Sequence, residues 1–68
     1  MGTYNFGKMG GDVVPVEFEG EELPLETVLK QNEVGDDFDV TVNGQEPVED
    51  QMVKSGDIVL LVPEVSGG

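Results

Sequence analysis

Apolar residues along this chain recur first every second position, then at helical spacing, then every second position again, and the changes of period mark its elements. Tyr4 and Phe6 belong to a first strand running toward Met9. It is stopped by Gly10-Gly11-Asp12, where glycine tolerates the positive φ of a hairpin turn. The next run sets Val14, Val16 and Phe18 on one face and Val13, Pro15, Glu17 and Glu19 on the other. Pro15 has no N–H to give to a ladder, which predicts an edge strand or a bulge. After Gly20-Glu21-Glu22, Leu25, Val28 and Leu29 fall at i, i+3 and i+4, opposite Glu26, Thr27, Lys30 and Gln31. That is a short amphipathic helix, with Pro24 suited to its first turn, Glu26 near the positive end of its dipole and Asn32 closing it. So short a helix holds only by packing on a sheet.

Period two returns at Phe38, Val40 and Val42, and Asn43-Gly44 then supplies a strong turn signal. A strand or loop follows from Gln45 to Val48, then an irregular stretch from Glu49 to Ser55 in which Met52 and Val53 are apolar anchors. Gly56-Asp57 is a second turn and leads into Ile58-Val59-Leu60-Leu61-Val62, apolar on both faces, which predicts a central strand. Pro63 ends it, and Glu64-Val65-Ser66-Gly67-Gly68 has no pattern that would anchor it. The order strand, strand, helix, strand, short strand, strand predicts an α+β roll, a mixed sheet covered on one face by one short helix. Carried through the chain, this parity turns Val14, Val16, Phe18, Phe38, Val40, Val42, Ile58, Leu60 and Val62 toward the helix. Val59 and Leu61, with Met9 and Pro15, then fall on the uncovered face, as surface scatter or as a docking patch ringed by carboxylates.

Composition narrows the chemistry. Sixty-eight residues allow one domain, and the absence of cysteine and histidine excludes a disulfide framework, a thiolate metal site, a cysteine nucleophile and a histidine general base within the chain. Gly10-Gly11 lacks the longer glycine pattern and the Lys-Ser/Thr of a phosphate loop. Fifteen acidic residues against three lysines, a net charge of -12, repel nucleic acid and anionic lipid. The same excess suits a basic protein partner or simply confers solubility, and a high-salt cytoplasm would also accommodate it. With no long apolar run and no basic leader, the expectation is a cytoplasmic protein, free of membrane and nucleic acid and monomeric when unbound.

The string Val40-Thr41-Val42-Asn43-Gly44, followed by Lys54-Ser55-Gly56-Asp57-Ile58-Val59-Leu60-Leu61-Val62-Pro63-Glu64-Val65-Ser66-Gly67-Gly68, resembles the sulfur-carrier proteins of molybdopterin and thiamine biosynthesis. Across Tyr4 to Asn32 the likeness rests on element order and spacing. The resemblance implies a ubiquitin-like β-grasp domain over residues 1–65 and a flexible reactive tail at 66–68. It implies that an activating enzyme of the ubiquitin-activating class uses ATP and magnesium to adenylate the Gly68 carboxylate. A sulfur donor would then convert it to a thiocarboxylate, to be handed to a synthase. The chain itself would bind no cofactor and would be a protein co-substrate, not an enzyme.

In that scheme Gly67 and Gly68 thread a narrow channel because they lack Cβ, and Val59, Leu61, Pro63, Val65 and Ser66 make the partner contacts that offset the entropy of ordering them. Length and the Val-Asn-Gly turn lean toward the thiamine type, and Val-Ser-Gly-Gly after Pro63 leans toward the molybdopterin type. Two other outcomes stay open: conjugation through Gly68 to lysines of a target protein, and an adaptor domain with an inert tail.

Overall fold

The first hairpin forms where the alternation predicts it. Strand β1 (Gly2–Lys8) pairs antiparallel with β2 (Val13–Phe18) around a turn in which Gly10 takes φ 83°. The computed structural model describes residues 1–35 and 38–63. Gly7 is required by close approach: a Cβ there would collide with the Asp12 carbonyl oxygen and lie 2.9 Å from Val13 Cα. Gly2 similarly leaves room for the ring of Phe18, its pairing partner across the ladder.

A three-residue strand, β3 (Glu22–Pro24), precedes helix α1 (Leu25–Gln31). Pro24 is the N-cap, with φ -63° and ψ 140°, and the Leu25 N–H is satisfied by the Gln51 carbonyl at 2.9 Å. Asn32 is the C-cap, as predicted. Beyond it Glu33 adopts φ 54°, and the Glu33 and Val34 N–H groups bond the carbonyls of Lys30 and Leu29, a Schellman closure achieved without glycine.

The remaining strands are β4 (Phe38–Val42), β5 (Met52–Lys54) and β6 (Ile58–Pro63). Asn43 and Gly44, with φ 55° and 81°, make the two-residue turn that the Asn-Gly pair announces. The strand or loop expected at Gln45 to Val48 is a loop with one bridge, Val42 to Gln45, because Pro47 has no N–H to extend the ladder. The short strand lies instead at β5, in the stretch read as irregular, where it pairs antiparallel with β3.

The main sheet has the order β2-β1-β6-β4, with β1 and β6 parallel and the other neighbours antiparallel, so the described residues form an α+β domain with a mixed sheet. Strand β2, which contains Pro15, lies at an edge, and β6 lies inside the sheet. Tyr4, Phe18, Leu23, Leu25, Val28, Val42, Val53 and Val59 make the buried cluster, with the Tyr4 and Phe18 ring centroids 5.8 Å apart. The Tyr4 hydroxyl accepts from Asn32 Nδ2 at 3.2 Å, so the helix cap also satisfies the polar end of the core aromatic.

One expectation is reversed. Ladder pairing places Val59 with Phe6 and Val42, and Leu61 with Lys8 and Val40, so the odd positions of β6 share the covered face with the even positions of β1, β2 and β4. Val59 is 0 % exposed and Leu61 4 %, whereas Ile58 is 41 % exposed. Parity is kept along one strand, but a loop of arbitrary length resets it, and a strand apolar on both faces carries no sign of which face is turned in.

Candidate functional site

The residues carrying the family resemblance meet at the start of β6. Asn43 Nδ2 donates to Asp57 Oδ1 at 3.0 Å, and Asn43 Oδ1 accepts the Ile58 N–H at 3.0 Å. The Asn43 N–H also donates to the Ile58 carbonyl at 2.8 Å, and Asp57 Oδ2 accepts the Lys54 N–H at 2.8 Å. The Asn-Gly turn after β4 and the Gly-Asp turn before β6 are thus locked together by their own side chains. The second turn is tied to β1 as well, through the Gly56 N–H to the Thr3 carbonyl at 2.8 Å and the Thr3 N–H to Ser55 Oγ at 3.2 Å. With β1 on one side and β4 on the other, β6 is held along its length up to Pro63, which pairs with Phe38 at the rim.

Of the residues assigned a role from the sequence, Pro63 lies exposed at the end of β6, while Val59 and Leu61 are core. Their side chains are unavailable to a partner. The expectations for Val65, Ser66, Gly67 and Gly68 lie outside the described residues. The uncovered face of the sheet instead carries Ile58, Leu60 and Val62 of β6, flanked by Gly7 and Val13, and by Pro15 next to Asn5. Ile58 and Val13 are each 41 % exposed. Glu17 on β2 and Asp39 and Thr41 on β4 supply the polar positions around this strip. Among the described residues, Thr41 Oγ1, shielded from solvent, has no hydrogen-bond partner. Near the far end of β6, Lys8 Nζ stands 5.2 Å from the centroid of the Phe38 ring, a cation over an aromatic face.

Sequence reasoning missed Ile58, Leu60 and Val62 as the open-face row, of which Ile58 is exposed and Leu60 and Val62 half-buried. The available signal was that a strand apolar on both faces, under a helix covering only one, must leave one apolar row uncovered. The row itself was not identifiable. Among the described residues no group of three or more acids stands close enough to hold a metal ion, and no helix is long and apolar enough to cross a membrane. Comparisons with protein-family models, curated proteins and solved structures give no match.

Proposed function

We propose that this chain is a ubiquitin-like β-grasp sulfur carrier whose reactive group is the Gly68 carboxylate. The observation that carries this reading is the hydrogen-bonded pair Asn43 and Asp57, because it joins the two turn motifs of the sulfur-carrier resemblance into one device that sets the start of β6. The order β2-β1-β6-β4, with the first and last strands parallel and adjacent, supports the β-grasp assignment.

In this reading the carboxylate attacks the α-phosphorus of ATP on an activating partner, releasing pyrophosphate and forming an acyl-adenylate. Hydrosulfide delivered by the sulfur donor then attacks the carbonyl carbon and expels AMP, leaving a thiocarboxylate. The chain contributes position instead of catalytic side chains: β6 fixes where the tail begins, and the apolar row Ile58, Leu60 and Val62 takes the docking role first assigned to Val59 and Leu61. Pro63, Val65 and Ser66 keep their assignment as contacts along the tail, and Gly67 supports Gly68 in the channel.

The test is intact-mass spectrometry after incubation with ATP, magnesium, a sulfur donor and an activating enzyme of the ubiquitin-activating class from the same genome. The expected product has one C-terminal oxygen replaced by sulfur, and deletion of Gly68 abolishes it. Ile58→Ser, at the exposed position of the row, weakens adenylation by about tenfold while leaving the fold intact, by loss of an apolar contact at the docking face. An adduct through Gly68 to a lysine of another protein would make the chain a conjugated modifier. If neither product forms, the carrier reading fails and an adaptor role replaces it.

A further inference from the structure

On the helix side of the sheet a trough of about 500 Å³ runs between α1 and the segment from Pro47 to Met52. Leu25 and Leu29, one helical turn apart, line it from the helix and Val48 and Met52 from the facing segment, with Glu26, Glu49 and Asp50 among the lining residues. Val48 is 71 % exposed and lines the trough together with the half-buried Leu29 and Met52.

The far wall is a built loop. Gln51 Oε1 accepts the Val48 N–H at 3.1 Å, the Gln51 N–H donates to the Val48 carbonyl at 3.1 Å, and Gln51 Nε2 donates to the Met52 carbonyl at 3.1 Å. The Gln51 carbonyl in turn caps the first helical N–H, that of Leu25. One glutamine therefore shapes the loop and fastens it to the helix, so an occupant meets a wall already in position.

Charge decides the occupant. Glu26 pairs with Lys30 at 3.1 Å, but both side chains are about three-quarters exposed, so solvent screens the pair and leaves Glu26 open to exchange for a better partner. Glu49 and Asp50 form no ion pair among the described residues. The three carboxylates do not converge as metal ligands would, and they suit cations spread along an extended chain. A second copy of this protein would bring another net charge of -12 to the contact, and an uncharged apolar molecule would leave the carboxylates unused.

We propose that this trough docks a short basic segment of a partner protein. One branched or aromatic side chain sits on Leu29, Val48 and Met52, and flanking lysines or arginines meet Glu49, Asp50 and Glu26. The surface is distinct from the open sheet face and is independent of what happens at Gly68. Amide shift mapping of the full ¹⁵N-labelled chain tests it, using as probes the capped peptides Lys-Arg-Leu-Arg-Lys, Lys-Arg-Ser-Arg-Lys and Glu-Asp-Leu-Asp-Glu. The leucine-bearing basic peptide should give saturable shifts confined to the amides from Glu26 to Leu29 and from Val48 to Met52. The serine peptide should bind about tenfold more weakly, and the acidic peptide should give no shift. Val48→Ser, at a position exposed enough to leave the fold unchanged, should weaken the leucine peptide about fivefold, and Glu49→Gln with Asp50→Asn should flatten its salt dependence. Equal binding of the leucine and serine peptides, shifts spread evenly over the acidic surface, or shifts centred on Ile58, Leu60 and Val62 would each overturn the proposal.

Discussion

Asn43 combines two requirements that few residues meet together. Its backbone sits at φ 55°, a region that asparagine tolerates better than most non-glycine residues, and its amide supplies both the donor for Asp57 and the acceptor for Ile58. Glycine would satisfy the backbone and lose both bonds. Alanine would lose both bonds and add strain. Asp57 is equally bound by its role, since its two oxygens accept from different elements. A double-mutant cycle with Asn43→Gly and Asp57→Ala should therefore return a coupling of about 0.5 to 1.5 kcal/mol in urea unfolding. Additive effects would mean that the two turns form independently. Both turns were legible as turns from their Asn-Gly and Gly-Asp pairs. Their mutual contact was not, because the sequence shows that a side chain can bond but not which residue, fourteen positions away, is brought to it.

Strand β6 shows most clearly where alternation stops being informative. Its central place followed from its being apolar on both faces, just as the edge place of β2 followed from Pro15, and α1 from the spacing of Leu25, Val28 and Leu29. Its facing depended on register with β1 and β4, which the length of the preceding loop sets and the composition does not. The β3 and β5 pair escaped for another reason: strands of three residues are too short to express a period. The neighbouring leucines of β6 give a direct measure of the facing. Leu61→Ala empties a buried site and should cost about 2 to 5 kcal/mol, while Leu60→Ala, on the open face, should cost at least about 1 kcal/mol less. Chemical denaturation of the two variants compares them, and equal losses would refute the register. The candidate docking face was thus half legible: the strand was found, and the wrong row of it was chosen.

At the scale of the whole molecule, a net charge of -12 is carried on a body with a radius of gyration of 11.7 Å, so many carboxylates lie within a screening length or two of one another. At about 0.15 M ionic strength that length is about 8 Å, and repulsion among like charges works against the compact state below it. Sodium chloride should accordingly raise the urea midpoint, most steeply at low concentration. A midpoint independent of salt from the millimolar range to about 0.5 M would show that the charge is spread too thinly to matter. The same surface would speed association with a basic partner at low salt, whichever face that partner uses.

The parallel pairing of β1 with β6 bears on how the molecule answers force. Its bonds run from the Gly56 N–H and the Thr3 carbonyl at one end to the Met9 N–H and the Leu61 carbonyl at the other. The two strands point the same way, so a pull on the start of β1 against the end of β6 acts in opposite senses along neighbouring axes. The rungs are then loaded together in shear; none can peel open ahead of the rest. Under the proposed function, a partner that draws the residues after Pro63 into a channel would load these rungs in shear, and the body would follow its tail.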